Sequence, residues 1–189
     1  MKARRAPGRT LRVDTETTIE AVVTYLEMLA PPRRPMTPAP LGKLAILRAE
    51  EPTVSFYRYL YQSVGDPWNW VDRRLLDDAA LRRIIHHPKV EIHVLYVAGV
   101  PAGFAEQDRR EGRDIELAYF GLIPEFVGRG LGAYFLDWAV NAAWLRKPKR
   151  LWVHTCTLDH PRALAAYQRA GFQVYDRGVD HVPALVESD

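Results

Sequence analysis

Apolar positions along the chain change period several times, and each change marks an element. From Ile19 to Leu29 the run Ala21-Val22-Val23-Thr24-Tyr25-Leu26, rich in β-branched and apolar residues, predicts a first strand. Prolines at 31, 32, 35, 38 and 40 then remove backbone donors and hold φ, so this stretch reads as a loop or linker. Helical spacing returns from Pro52 to Val64 and from Arg73 to Ile85, on either side of the turn-prone Gly65-Asp66-Pro67-Trp68-Asn69-Trp70. Val90 to Val97 and Pro101 to Gln107 flank Ala98-Gly99-Val100 as a β-hairpin, followed by a polar turn from Arg109 to Arg113. In the strand Asp114 to Leu122, Ile115, Leu117 and Tyr119 alternate with Glu116, Ala118 and Phe120, which places the two sets on opposite faces before Pro124 ends the strand.

In the helix that follows the glycines, Leu131, Phe135, Trp138, Ala142 and Leu145 recur at three- and four-residue steps and predict one buried stripe; the helix stops before Pro148. Arg146-Lys147-Pro148-Lys149-Arg150 reads as a solvated turn whose cations meet the negative end of the helix dipole. Leu151 to Thr157 is a further strand. Asp159 then caps a helix with Pro161 in its first turn and Gly171 at its close, and strand structure resumes from Val174. No internal repeat at solenoid periods is present. Strands and helices alternating after a leading hairpin predict an α/β chain of the α+β type, in which a mixed, mostly antiparallel sheet is flanked by helices.

The segment with the most chemical content is Val127-Gly128-Arg129-Gly130-Leu131-Gly132, set between a strand and a helix. Glycines at alternate positions keep side chains out of the way, so backbone N–H groups turn toward an anion while the following helix adds the positive end of its dipole. A P-loop would need Lys-Ser/Thr after the last glycine, where Ala133-Tyr134 stand. A dinucleotide fingerprint would need a different glycine spacing and an acidic residue about twenty positions on, near the place of basic Arg150. A pyrophosphate cradle of another kind is the remaining reading.

These residues resemble the loop of the GNAT superfamily of acyl-CoA-dependent N-acyltransferases, Arg/Gln-x-x-Gly-x-Gly/Ala after the fourth core strand. Gly130 and Gly132 fill both glycine positions, and Val127 stands where the family has Arg or Gln. A second block, Ala163-Leu164-Ala165-Ala166-Tyr167-Gln168-Arg169-Ala170-Gly171-Phe172, is similar to the family's last helix with its Ala-x-x-x-Tyr-x-x-x-Gly-Phe ending. The resemblance runs from about Val90 to Val174. It implies acetyl-CoA as co-substrate, bound by Val127, Gly128, Arg129, Gly130, Leu131, Gly132 and Ala133, with Leu122 and Ile123 offering backbone N–H groups to an oxyanion beside a strand distorted near Gly121. His160 stands where the family often has Asn, as a further cofactor contact. Tyr167 matches a tyrosine placed near the thioester sulfur, where it assists the departing thiolate. Glu116, on the strand entering the loop, matches the position of a catalytic glutamate in some members and would take the amine proton directly or through a water. A base is useful because only about one in a thousand amines of pKa ~10.4 is neutral near pH 7.4.

Composition limits the alternatives. With 189 residues, 48% hydrophobic and 26% charged, the chain is long enough for one substantial core and reads as a single domain over 1–189. A net charge of +3, spread among comparable numbers of acids and bases, does not point to nucleic acid. No apolar run approaches the ~20 residues of a membrane helix, and Lys2, Arg4, Arg5, Arg9 and Arg12 precede no hydrophobic region, so the cytoplasm is the expected location. The lone Cys156 reads as a packed thiol, and His154 with Cys156 on one strand face lacks a partner pair for zinc, so no metal is expected. His86 and His87 read as the end of a surface helix, and Trp68, Trp70, Tyr57 and Tyr61 as core or as an aromatic acceptor pocket. The expected activity is direct acetyl transfer to the amine of a small molecule or protein. A non-catalytic acyl-CoA sensor is the competing class, and exposed strand edges leave a homodimer open.

Overall fold

The computed structural model describes residues 10–188. Seven strands, β1 (Leu11–Met28), β2 (Leu44–Arg48), β3 (Val90–Val97), β4 (Val100–Asp108), β5 (Asp114–Leu122), β6 (Arg150–Cys156) and β7 (Gln173–Glu187), form one sheet. Their order is β2-β3-β4-β5-β6-β1-β7. All neighbours are antiparallel except β5 and β6, which run parallel. The mixed, mostly antiparallel sheet is the one the sequence predicts. Lys2, Arg4, Arg5 and Arg9 lie outside the described residues.

Four helices, α1 (Val54–Gly65), α2 (Asp78–Ile85), α3 (Leu131–Trp144) and α4 (Ala163–Ala170), cover the sheet. Strand alternation divides the core between them. Leu26, Leu95, Ala105, Ile115, Leu151 and Val153 pack with α3 and α4, whereas Val90, Ile92, Val94 and Phe104 pack with α1 and α2. In α3, Leu131 and Phe135 are buried as the periodicity predicts, but Leu136, Ala139, Val140 and Ala143 complete the buried face and Leu145 is 82% exposed. The helix is apolar around much of its circumference, so small-residue positions decide which line faces the sheet. None of the helices is long and apolar enough to cross a membrane.

Two predicted helix starts are displaced by capping chemistry. α2 begins at Asp78 rather than Arg73, because the Asp77 carboxylate accepts the Ala80 N–H at 2.6 Å. α4 begins at Ala163 behind Arg162, and Asp159 does not cap it. β2, which the pattern does not signal, is a five-residue edge strand beside the proline-rich stretch. That stretch is pinned rather than loose: Asp137 on α3 accepts two guanidinium N–H groups of Arg34, the Thr37 N–H at 2.8 Å and the Thr37 hydroxyl at 2.6 Å. Although burial opposes charge there, the bonds from Arg34 and Thr37 hold the Asp137 carboxyl below its ordinary range. The cause is topological. β1 lies near one end of the sheet and β2 at the other, so the connection crosses α3.

β1 starts at Leu11, well before the predicted Ile19, and spans 18 residues against 15 in β7. Only Val23 to Met28 of β1 pair with β6, so the rest of β1 continues with β7 as a two-stranded ribbon, its register slipping between Asp14 and Thr18. The ribbon docks on the turn after α1. Asn69 Nδ2 donates to Pro183 O at 2.9 Å, the Leu185 N–H donates to Asn69 Oδ1 at 2.7 Å, and Arg74 Nη1 donates to Leu11 O. Asn69 has φ 60°, a left-handed conformation that Asn tolerates better than most residues. Asn69→Ala therefore loses both ties and adds strain, an expected cost of roughly 2–4 kcal/mol, while Asn69→Gly loses the ties without the strain. Denaturant unfolding of the three proteins separates the two contributions; no loss in either variant would show that the ribbon is held elsewhere.

Candidate active site

The sheet opens between its two parallel strands. β5 and β6 pair only from Asp114 to Glu116 against Arg150 to Trp152, and beyond that point they separate. An extra residue contributes to the parting: Glu106 pairs with Tyr119 and Gln107 with Leu117, which leaves Ala118 as a bulge. The bulge reverses the faces. Ile115, Leu117, Phe120 and Leu122 face α3 and α4, whereas Tyr119 packs on the α1 side, so the predicted grouping of Ile115, Leu117 and Tyr119 holds only up to the bulge. The distortion is thus at Ala118 and not near Gly121. Gly121 serves close packing instead, since a Cβ there would stand 2.3 Å from Val64 Cγ1 on α1.

The pairing also sorts the backbone donors. Ile123, expected as an oxyanion donor, already gives its N–H to Ala102 O at 2.9 Å and is 7% exposed. Leu122 lies opposite Gly103, and antiparallel alternation turns its N–H away from β4 toward the gap.

At the mouth of the gap stands the glycine loop. Gly128 has φ 87° and Gly130 φ 77°. A Cβ on Gly128 would meet nothing within 4 Å and one on Gly130 only Pro40 Cγ at 3.8 Å, so conformation rather than crowding demands glycine and the space above the loop is open. Gly130 is the N-cap of α3 and provides no side-chain cap, which leaves the first-turn N–H groups without intrahelical partners. Val127, Gly128, Gly130, Gly132 and Ala133 line a cavity of about 1010 Å³, together with Leu122, His160 and Tyr167. Leu131 and Arg129 are not in its wall: the Leu131 side chain is 3% exposed in the core, and Arg129 lies 5.1 Å over the Phe126 ring.

Tyr167 is 7% exposed, with its ring edge-on to Phe120 and Phe172. Its hydroxyl makes no hydrogen bond among the described residues and the side chain lines the cavity. Burial pushes the phenol up from its ordinary pKa, so it remains a donor throughout the neutral range. His160 packs 5.0 Å from the Trp68 ring and accepts the Arg162 N–H at Nδ1; burial, then Arg162, lowers its pKa and favours the neutral ring. Asp159 turns back from α4 and binds Thr155 Oγ1 at 2.8 Å, the Cys156 N–H at 2.9 Å and Trp70 Nε1 at 3.1 Å. Burial raises the Cys156 thiol, which suits a lining residue rather than a nucleophile.

Glu116 stands behind the cavity wall, and His154 on β6 stands in it. His154 Nδ1 lies 3.4 Å from Glu116 Oε1, and this contact raises the imidazole pKa against the effect of burial. Nearby, Arg150 bonds Asp114 rather than Glu116. The aromatic quartet also divides. Tyr57 and Tyr61 are 0% and 1% exposed, while Trp68 and Trp70 line the cavity. Beneath them, Glu106 accepts from the Tyr57 hydroxyl and from Arg73 Nη2, Arg73 lies 5.0 Å over the Tyr119 ring, and Tyr119 donates to Asp72 Oδ2 at 3.1 Å. Asp72 and, from β7, Asp180 complete the wall. Sequence spacing singles out none of His154, Asp72 and Asp180 as functional, since each reaches the cavity from a different element.

The site is thus a sheet parted beside an uncapped helix N-terminus, with a phenol in the wall of the same cavity. The chain matches the acetyltransferase (GNAT) family over residues 54–172, and it belongs to that family. An acetyltransferase assigned to the GNAT family from Novosphingobium aromaticivorans shares the fold at TM-score 0.60 and 18% identity, over 98% of this chain and 71% of the other. A GCN5-related N-acetyltransferase from Sphaerobacter thermophilus does so at 0.56 and 19%, over 90% and 52%. An aminoglycoside acetyltransferase from an uncultured soil metagenomic sample does so at 0.55 and 12%, over 68% and 87%. The chain spans 63% of a functionally unknown conserved protein from Staphylococcus epidermidis, similar at TM-score 0.56 and 16% identity over 89% of this chain. No curated protein matches it in sequence.

Proposed function

We propose that the protein transfers an acetyl group from acetyl-CoA to a primary amine. One observation carries this reading: the gap between β5 and β6 ends at the uncapped Gly128–Gly130 turn and holds the unbonded Tyr167 hydroxyl in the same cavity. The first-turn N–H groups of α3 suit a pyrophosphate, and the outward N–H of Leu122 suits the thioester carbonyl. Acetyl-CoA supplies the acyl group: the C–N bond forms as the C–S bond breaks, giving the amide and CoA.

The amine proton goes to His154, which the Glu116 carboxylate orients and, once protonated, stabilises. Glu116 thus acts through the imidazole. Tyr167 donates a hydrogen bond to the leaving sulfur. Since a thiol of pKa about 8.5 is more acidic than this phenol, Tyr167 keeps its own proton and the thiolate is protonated from solvent. Loss of the hydroxyl should slow turnover rather than abolish it.

Calorimetric titration with acetyl-CoA, CoA, ATP and NAD tests the reading. Selective binding of acetyl-CoA and CoA, abolished by Gly130→Glu, is the expected result, because the variant puts bulk and negative charge at a left-handed position in the cradle. Absence of CoA binding in the intact protein would sink the proposal. Binding without thiol release on any amine would favour a non-catalytic acyl-CoA sensor.

A further inference from the structure

We propose that the acceptor is a small amine carrying a second positive charge, taken up as a free molecule into the chamber under the β1–β7 ribbon. The inference rests on the acetyl-transfer reading and specifies its second substrate.

The chamber is bridged. Trp68, Trp70 and Asp72 line it from the turn after α1, Tyr25 and His154 from the uncovered face of the sheet, and Asp180 from β7. Asn69 ties that turn to the ribbon through Pro183 and Leu185, so sheet, turn and ribbon each supply a wall of the acceptor half of the cavity. A lysine on a protein brings an extended backbone with it, which needs a groove open along its length. A free amine does not.

Charge in the chamber is one-sided. Asp72, Asp159 and Asp180 all line it, and their bonds come from neutral donors: the Tyr119 hydroxyl to Asp72, Trp70, Thr155 and the Cys156 N–H to Asp159, and the His181 N–H to Asp180. Among the described residues, no Lys or Arg forms a salt bridge with any of the three. Among the basic liners, Arg162 and Arg169 belong to α4 and its start, Arg34 is bonded to Asp137, and His154 is the base, neutral when it accepts the amine proton. Carboxylates without counter-ions, set among indole and phenol faces, favour a cation over a neutral or anionic guest. Once the reacting nitrogen has given its proton to His154 it carries no charge, so the charge these groups hold through the transfer belongs to a second nitrogen. The buried, unbonded Tyr167 hydroxyl in the same cavity marks the end at which the reacting nitrogen meets the thioester.

The test follows CoA release with putrescine, n-butylamine and a lysine-containing peptide with blocked termini, alongside calorimetric binding of spermidine to the acetyl-CoA-loaded protein. The expected kcat/KM for putrescine exceeds that for butylamine by about tenfold or more, as one added charge-assisted contact predicts, and the peptide is the poorest acceptor. Asp72→Asn and Asp180→Asn each raise KM for putrescine and weaken spermidine binding roughly tenfold, with acetyl-CoA affinity unchanged. A peptide acetylated as well as the diamine, or a diamine no better than the monoamine, would overturn the proposal. If acetyl-CoA binds and no amine is acetylated, transfer has failed. Spermidine binding that Asp72→Asn weakens would still support the cationic chamber, and its absence would overturn that as well.

Discussion

Replacing His154 with Gln should lower kcat by roughly a hundredfold to ten-thousandfold, the range for loss of a positioned general base, while acetyl-CoA affinity measured by calorimetry stays at its wild-type value. The pH profile carries the sharper test. Glu116 beside the ring raises the His154 pKa above its ordinary value. A base must be neutral to accept a proton, so kcat/KM should fall as pH drops through that raised pKa and level off above it. Glu116→Gln removes the charge that stabilises the imidazolium, so the acid limb should move to lower pH while much of the activity survives. Were Glu116 itself the base, Glu116→Gln would cost as much as His154→Gln and no shifted limb would be seen. The same linkage acts on folding. A histidine with a raised folded pKa contributes stability that is fully present below its unfolded value near ~6.5 and is lost as pH rises through the folded pKa. The Glu116–His154 contribution to stability therefore shrinks over the interval in which the proposed base becomes active.

Glu106→Ala should be among the most destabilising single changes in the chain. The carboxylate is 0% exposed, receives Arg73 at 2.7 Å and also binds the Tyr57 hydroxyl. Removing it leaves a guanidinium and a phenol facing a cavity without their acceptor, at a cost of roughly 3–5 kcal/mol. At about 2–4 °C per kcal/mol for a chain of this size, the melting temperature should drop by roughly 6–20 °C. Pairing the change with Arg73→Met removes the stranded cation and should recover part of the loss; a double variant that loses the sum of the two single losses would refute the ion pair as the cause. Arg73 also underlies Tyr119, which holds Asp72, so the single variant should disturb the acceptor wall before it disturbs the glycine loop.

Local features of the site were legible where chemistry and geometry are contiguous in the chain. Gly128 and Gly130 stand at a strand-to-helix turn, as the run of glycines signals, and Tyr167 lies inward one turn after Ala163 on the helix that the resemblance singles out. The hairpin of β3 and β4 was equally plain from its alternation. Other features depended on partners far away. The bulge at Ala118 carries no mark in the sequence, yet it moves Tyr119 to the opposite face and opens the gap. Asp159 resembles a helix cap until Trp70, distant in the chain, is there to bind it. The polar start of β1 does not alternate and reads as loop because its stability comes from pairing with β7.

The sequence by itself determined most element types, the glycine turn before α3 and the two helices that flank the gap, because backbone freedom and periodicity act over a few residues. Only the tertiary structure decided that β1 enters between β6 and β7, that Glu116 meets His154 across the parallel strands, and that a ribbon tied to Asn69 adds Asp180 to the cavity wall. Those outcomes are set by pairing and burial between segments remote in the chain, where the free energy depends on which surfaces meet and no local pattern records the choice.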